Sequence, residues 1–306
     1  IGLDLGLFNN RLRITTDYYK KKTTDLLYSV AVPATSGYQT MLKNIGSIEN
    51  QGYELSIESD NLTGAFSWTI AFNIAFNRNK VLELGGEEYK EMAEGDGHLK
   101  TGSVRRLIVG EPIGVFYGYR FDGIFQNEEE CKQQTSSASP IGVGLRRYKD
   151  LNGDGVIDDY DKCLIGQGDV PKIYYGFGAD LQLGDFSVGA LFAGNAKADR
   201  CLGGNAMYPF NDGSGITNLF ANITDRWSAD NPTNQDVFYP RLHHGNNANQ
   251  NNMKTSTWWQ KDVSFLRLKQ LTIAYQLPKK LINQTFLKSA RIYVMGTNLL
   301  TFSKFK

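Results

Sequence analysis

The sequence predicts an all-β fold with about eight long antiparallel strands, which form part of the wall of a transmembrane β-barrel. Three observations lead to this prediction: one long alternating strand, several similar strands, and short connections that alternate with long ones. The stretch 65–77 reads AFSWTIAFNIAFN, with bulky apolar residues on one face and small or polar residues on the other. Soluble strands usually have ~5–6 residues, whereas a membrane strand needs ~9–11, so this length favours the barrel.

The first strands form hairpins with short connections. Residues 1–8 alternate, and Asn9 and Asn10 form a tight turn of the kind that tolerates positive φ. The third strand carries Glu54 and Glu58 on the face opposite its tyrosine, leucine and isoleucine. Glutamates are costly in a dry core and acceptable in a water-filled lumen, so this face is predicted to line the lumen.

The remaining strands and their connections show a consistent asymmetry. Alternation recurs around 175–183, 186–192, 271–277 and 290–302. Short connections lie at 9–10, 60–64, 184–185 and 278–289, and long ones at about 23–44, 80–171 and 195–260. Outer-membrane barrels have short periplasmic turns and long outer loops, whereas a soluble calcium-stabilised β-sandwich, the alternative fold, mixes loop lengths at both ends. The asymmetry therefore favours the membrane.

This arrangement divides the chain into barrel strands at 1–79, an extracellular insertion at 80–171, and barrel strands at 172–306 with a long outer loop at 195–260. The predicted lipid face carries Phe66, Trp68, Phe72, Phe177 and Phe186, and the predicted lumen face carries Glu54, Glu58, Asn73, Asp180 and Gln182. If short turns are periplasmic, both ends of the chain lie outside the cell, so we expect the later part of a larger barrel. The stretch 114–119 is then a strand of an extracellular flap, because one spanning strand in the insertion would break the alternation.

Composition excludes several other classes of protein. The net charge is +1, with 33 basic and 32 acidic residues, so nothing indicates a nucleic-acid partner. The three cysteines match no zinc or redox spacing, and no G-x-S-x-G, H-E-x-x-H or phosphate-binding glycine loop is present. The sequence therefore gives no basis for predicting an enzyme.

An Asp-rich stretch in the insertion predicts a calcium site. Residues 150–161 fit the spacing D-x-[DN]-x-[DN]-G with a carboxylate at position twelve, by which one turn wraps oxygens around Ca²⁺. The predicted ligands are the side chains of Asp150, Asn152 and Asp154, the carbonyl of Val156, Asp158 through water, and Asp161. The flanks are not helical and Asp161 is shorter than the usual glutamate, so we expect a structural site of modest affinity. A plain surface turn without an ion is the alternative.

Aromatic residues in the long loop 195–260 are weak candidates for substrate binding. Tyr208, Trp227 and Tyr239 have ring faces suited to stacking on sugars, although packing within the loop explains them equally well. Trp258 and Trp259 precede a strand and are predicted to lie at the membrane interface, with sugar stacking as the alternative.

Several ordered motifs resemble the SusC/RagA-like TonB-dependent outer-membrane transporters. The similar segments are 48–54 (IENQGYE), 110–114 (GEPIG), 117–119 (YGY), 122–125 (DGIF), 150–161, 225–227 (DRW), 239–242 (YPRL), 265–269 (FLRLK) and 293–301. They are spread over nearly the whole chain, which makes the resemblance specific.

The resemblance implies a 22-stranded barrel of the outer membrane of a Gram-negative, Bacteroidetes-like cell. It implies active import of oligosaccharides or peptides, with a SusD-like surface lipoprotein as lid and the TonB complex as energy source. The family's plug, its TonB-contacting segment and a final closing strand have no counterpart in these residues, so energy coupling is expected from the resemblance alone. The rival function is a barrel-anchored surface hydrolase or adhesin.

Overall fold

A computed structural model of the chain describes residues 1–31, 34–38, 40–84, 91–94, 105–136, 139–202, 207–209, 219–243, 251–283 and 286–305. The chain forms two compact units. The first comprises Ile1–Glu88, Val170–Ala198 and Asp262–Lys306, and the second comprises Tyr89–Asp169 and Asp199–Lys261. None of the helices in the described ranges is long and apolar enough to cross a membrane.

The described elements are mainly strands. In chain order the strands are β1 (Gly2–Leu7), β2 (Leu12–Ala31), β3 (Thr40–Leu62), β4 (Phe66–Leu84), β5 (Glu91–Glu94), β6 (Arg105–Ile108), β7 (Val115–Gly118), β8 (Phe121–Ile124), β9 (Thr135–Ser136), β10 (Arg146–Tyr148), β11 (Val156–Ile157), β12 (Cys163–Ile165), β13 (Ile173–Leu183), β14 (Phe186–Ala196), β15 (Asp199–Cys201), β16 (Gln260–Asp262), β17 (Phe265–Gln276) and β18 (Arg291–Ser303). The α-helices are α1 (Glu128–Lys132) and α2 (Lys279–Ile282), and short 3-10 turns lie at Ala34–Ser36, Asp159–Asp161 and Ala221–Thr224.

The first unit is built on one antiparallel sheet of eight strands, in the order β1-β2-β3-β4-β13-β14-β17-β18. Each strand pairs with the next wall strand along the chain, as predicted. At the first turn Phe8, Asn9 and Asn10 all have positive φ, between 56 and 61°. Because β4 pairs directly with β13, no described strand of the insertion enters the sheet, and β7 belongs to a separate four-stranded sheet as expected for 114–119.

The register gives the sheet two chemically different faces. Residues directly opposite each other on neighbouring strands share a face. Phe72 lies opposite Phe177, which lies opposite Phe192, and the last two rings stack with centroids 4.5 Å apart. Three residues further along β13, and so on the other face, Asp180 lies opposite Thr69, as predicted for the polar face. All ten residues assigned to a face by the sequence pattern lie on the predicted faces, as the register of β3, β4, β13 and β14 shows.

The apolar face of the sheet is exposed. Phe66, Phe177 and Phe186 are 41%, 38% and 58% exposed, and Val294 on β18 is 74% exposed. Large apolar side chains in this number would be covered in a water-soluble protein. In the described part of the chain these rings do not pack against an opposing sheet, so lipid is the solvent that suits them.

The second unit combines residues from both long connections. Its strands form the four-stranded sheet β12-β7-β6-β5 and the small pairs β10-β8 and β11-β9. One hydrophobic cluster contains Ile124, Trp227 and Val237, and the backbone N–H of Ile124 donates to Oε1 of Gln235 at 2.7 Å. The two loops that the sequence suggested as separate excursions therefore fold into one body with its own core.

Two expectations differ from the structure, one about the tryptophan pair of the second unit and one about strand lengths in the first unit. Trp259 does not lie at a membrane interface: its side chain is 2% exposed in a core cluster with Tyr208 and Tyr239, and Trp258 packs against that cluster. The long connection predicted at about 23–44 is wrong, because β2 continues to Ala31 and β3 begins at Thr40. The strand β4 also passes the predicted boundary at residue 79 and ends at Leu84, so β2, β3 and β4 have 20, 23 and 19 residues. Strands of this length exceed the ~9–11 residues that a membrane crossing requires, so they extend the sheet beyond the bilayer.

Candidate functional site

The polar face of the main sheet forms a cleft of about 850 Å³. Period-two alternation brings the short polar residues of β4, β13, β14 and β17 to this side. The lining includes Ser67, Thr69, Asp180, Gln182, Ser187, Gln270 and Thr272. Glycines at 178 and 189 keep side-chain bulk low at the centre, since a Cβ at Gly189 would meet the Asp180 carboxylate at 2.5 Å. The surface offers hydrogen-bond donors and acceptors to a polar solute without closing around it.

Charged side chains on the first strands are already ordered by one another. Arg13 Nη2 lies 2.9 Å from Glu58 Oε2, and its Nη1 lies 3.1 Å from Asp60 Oδ2. The hydroxyl of Thr69 donates to the other oxygen of Asp60 at 3.1 Å, which continues the network onto β4. Exposed ion pairs contribute only about 0–1 kcal/mol each. Their effect here is to fix the direction of the carboxylates on the polar face.

The strand β18 adds three residues to this cleft that the sequence analysis did not single out. Arg291, Tyr293 and Met295 line it, each opposite a residue of β17 that faces the same side. They bring a cation, an aromatic ring and a flexible thioether to a surface that is otherwise small and polar. The alternation of Ile292 and Val294 with these residues was the available signal, because it places them on the polar face.

The predicted calcium loop lies in the second unit and wraps around Asp150. The carboxylate of Asp150 accepts the backbone N–H of Gly153 at 2.6 Å and of Gly155 at 2.7 Å. Both glycines have φ near +80°, a conformation that side chains with a Cβ disfavour, so the sharp turn depends on them. The N–H of Gly155 and then that of Gly153 lower the pKa of Asp150 below its usual value. The Nδ2 of Asn152 donates to Oδ2 of Asp154 at 2.9 Å, so the side chains of these two predicted calcium ligands are adjacent.

The end of the loop has a different role from the one predicted. Asp161 is fully buried, and its two oxygens accept the backbone N–H groups of Leu151 and Asp158 at 2.8 and 2.9 Å. Asp158 in turn caps the short 3-10 turn by accepting the N–H of Tyr160. Among the described residues, no group of three or more His, Cys, Asp or Glu side chains is gathered as a metal site. The predicted ligand set thus fits an ion only in part, and calcium binding stays a prediction.

The three aromatic candidates lie in the core of the second unit. Tyr208, Trp227 and Tyr239 are 8%, 6% and 1% exposed. Trp227 Nε1 donates to the carbonyl of Pro232 at 3.0 Å, and Tyr208 meets Trp259 edge-on at 4.8 Å. Packing within the loop accounts for these rings.

Arg146 is the charged centre of the same core. Its guanidinium lies 4.1 Å from the Trp259 ring centroid and donates to the carbonyl of Asn252. Burial lowers the pKa of Arg146 to about 10. The ring faces of Trp258 and Trp259, at 4.8 and 4.1 Å from the guanidinium, stabilise this buried cation.

An antiparallel sheet with an exposed apolar face, a polar face along a cleft, and short turns at one end of its strands defines a segment of an outer-membrane β-barrel wall. The comparisons with known proteins agree. Residues 1–299 match the model of the TonB dependent receptor-like, beta-barrel family, and the chain belongs to this family.

Named relatives cover the whole chain. It is 34% identical over 308 residues to TonB-dependent receptor P3 of Formosa agariphila, with 100% of this chain and 29% of that protein aligned. It is 28% identical over 314 residues to TonB-dependent receptor SusC of Bacteroides thetaiotaomicron, with 100% and 28% aligned. These relatives are receptors and not enzymes, in agreement with the sequence prediction.

A solved structure gives the same fold. The RagAB peptide transporter matches with a TM-score of 0.76 and 25% identity, over 99% of this chain and 31% of that chain. The chain thus spans less than a third of the length of these relatives. The similarities confirm the predicted family, the barrel fold and the outer-membrane location.

Proposed function

We propose that the full-length protein imports oligosaccharides or peptides across the outer membrane, that a SusD-like surface lipoprotein works with it, and that the TonB complex supplies the energy. The observation that carries the proposal is the polar, preorganised inner wall of a chain that belongs to the TonB-dependent receptor family. The named similarity to SusC and to the RagAB peptide transporter supports this class of importer. Among the residues described here, the cleft lining from β4 to β18 contributes to the passage.

The chemistry of the lining suits a neutral polar solute. Amide, hydroxyl and carboxylate groups of Gln270, Thr272 and Asp180 can exchange hydrogen bonds with sugar hydroxyls or peptide groups as the solute moves. Tyr293 offers a ring for the apolar face of a sugar or side chain. Many weak contacts suit transport better than one strong site, because a solute has to leave as well as enter.

The proposal is tested by uptake in cells that carry the full-length protein. Fluorescent oligosaccharides and fluorescent peptides are offered separately to the wild type, a deletion strain and a strain without TonB. Uptake of one class that requires both the protein and TonB supports the importer and identifies the substrate class. Purification from membranes shows whether a surface lipoprotein accompanies the protein. Catalytic turnover of the offered substrate by the purified protein without uptake contradicts the proposal and favours the surface hydrolase.

We also propose that Asp150, Asn152, Asp154 and the Val156 carbonyl bind a structural Ca²⁺ ion. The exposed carboxylate of Asp150 and the adjacent side chains of Asn152 and Asp154 support this proposal. Calorimetric titration of the full-length protein is expected to show saturable binding at millimolar Ca²⁺ that is lost in Asp150→Ala. An Asp122→Ala variant, which removes an exposed acid elsewhere in the second unit, is the control. Absence of saturation at several millimolar contradicts the site.

A further inference from the structure

Two cations share one aromatic ring in the core of the second unit. Arg146 is fully buried, and its guanidinium carbon lies 4.8 Å from the ring centroid of Trp258. The Nζ of Lys261 lies 5.6 Å from the centroid of the same ring. Burial, and after it repulsion by Arg146, lowers the pKa of Lys261. The two positive charges are therefore close enough to raise the cost of burying each other.

The hydrogen bonds of Arg146 leave part of its guanidinium unsatisfied. Its Nη1 donates to the carbonyl of Asn252, whereas its buried Nε and Nη2 have no hydrogen-bond partner among the described residues. In the same part of the chain, no ion pair joins Arg146 to a carboxylate. A buried N–H group without an acceptor and a buried charge without a counter-ion are both strongly destabilising. A negatively charged acceptor would remove both costs.

A small cavity borders this arginine. It has a volume of about 20 Å³, and its lining includes Arg146, Arg241, Asn252, Tyr239 and Trp259. A cavity of this volume holds one water-sized species, which excludes phosphate, sulfate and carboxylate groups. Arg241, which is exposed, brings a second guanidinium to the lining. The described lining therefore carries two positive charges and no carboxylate.

We propose that this cavity binds one chloride ion, which accepts the N–H groups of Nε and Nη2 of Arg146. A monatomic anion supplies the missing acceptor and the missing negative charge together, whereas a water molecule supplies only the acceptor. The aromatic side chains around the guanidinium keep bulk water away, so the attraction between the two charges is stronger than at a surface. The proposal is independent of the membrane position of the first unit and of what the protein transports.

The test is hydrogen exchange of the full-length protein in detergent, followed by mass spectrometry of its peptides. Sodium gluconate is replaced stepwise by sodium chloride or by sodium sulfate at constant ionic strength. Peptides that cover 146–148 and 251–259 report on the cavity, and a peptide that covers 186–196, in the first unit, is the internal control. Arg146→Met removes the cation and fills much of its space. Arg120→Met, which replaces an exposed arginine of the second unit, is the matched control.

Chloride at about 100 mM is expected to slow exchange at the cavity on the order of tenfold, because an ion that leaves when the site opens stabilises the closed form by the factor 1 + [Cl⁻]/Kd. Sulfate should not slow it, since only a monatomic ion fits the cavity. The chloride effect should disappear in Arg146→Met and stay in Arg120→Met. Exchange in gluconate alone shows whether the second unit of each variant is folded. If Arg146→Met is not folded, the comparison of chloride with sulfate in the wild type decides the question by itself.

The proposal is overturned if chloride gives no saturable protection, which is the result expected for a cavity that holds only water. It is also overturned if sulfate protects the cavity peptides as well as chloride does, or if the peptide of the first unit responds equally, because either result indicates a general salt effect. A folded Arg146→Met protein that keeps the wild-type response to chloride would contradict the assigned ligand.

Discussion

A matched pair of substitutions tests the two faces of the sheet at the same depth. Gly178 is the central residue of the eleven in β13; Ala179 follows it, and Ala71 lies opposite it on β4. Ala179 pairs with Ile70 and Ala190 on the apolar face, whereas Ala71 lines the polar cleft. Ala179→Arg and Ala71→Arg thus place the same charge near the membrane midplane, one toward lipid and one toward water.

The expected costs differ strongly. An arginine facing lipid near the midplane lowers the free energy of unfolding by about 2–4 kcal/mol, which is roughly a thirtyfold to several-hundredfold loss in the ratio of folded to unfolded protein. Ala71→Arg adds a side chain that reaches water and lies directly opposite Glu58. Its cost should be no more than about 1 kcal/mol, because an exposed charge pair is nearly neutral in energy.

The assay is reversible folding of the full-length protein into phospholipid vesicles, followed by tryptophan fluorescence during guanidinium titration. The slope of the transition has to stay unchanged for the two variants to be compared. Equal costs, or a larger cost for Ala71→Arg, would show that the faces are assigned wrongly.

Three further predictions follow from individual contacts. Gly52→Ala should lower the free energy of unfolding by about 1–3 kcal/mol, because its Cβ would meet the Tyr19 ring at 2.5 Å and the Phe76 carbonyl at 2.6 Å. The control Gly64→Ala, whose Cβ would have nothing within 4 Å, should cost little. Unfolding from vesicles measures both variants. Burial, and after it repulsion by Lys162, lowers the pKa of Lys254 to about 8. The free energy of unfolding of the second unit should therefore rise with pH between about 8 and 10.5, because the unfolded state binds more protons in that range. Urea titrations at several pH values measure this rise, which should be absent in Lys254→Met. Arg146→Ala should lower the free energy of unfolding by about 2–5 kcal/mol through the cavity it leaves, whereas Arg146→Met, which fills much of that space and removes the buried charge, should cost far less. Limited proteolysis compares the two variants, and equal loss of protease resistance in both would refute this prediction.

The sequence was sufficient to predict the wall because its signal is local. A period of two places Phe72 and Asn73 on opposite faces whatever lies next to them, and short turns make neighbouring strands pair. The order of all eight strands and the separation of the two faces follow from that rule. The prediction failed at the end of β2, the start of β3 and the end of β4, because the residues there continue the strand pairing without the regular apolar alternation that marks a strand in the sequence.

The second unit was not predictable in the same way, since its contacts are distant in sequence. Arg146 donates to Asn252, 106 residues away, and Tyr148 donates to Asn251, 103 residues away. No local pattern marks such pairs, so Trp259 resembled an interfacial residue while it stacks on Arg146. Asp161 shows the same limit, because ligand spacing alone does not distinguish an ion's carboxylate from one that caps a backbone turn.

Photolabelling with a lipid that carries a diazirine in its acyl chain tests the central claim most directly. The full-length protein in vesicles is irradiated, digested and mapped by mass spectrometry. We expect labels at Trp68, Phe72, Phe177 and Val188, and none at Thr69 or Asp180. Labels on the polar residues, or no labels on either face of the sheet, would contradict a lipid-facing barrel wall.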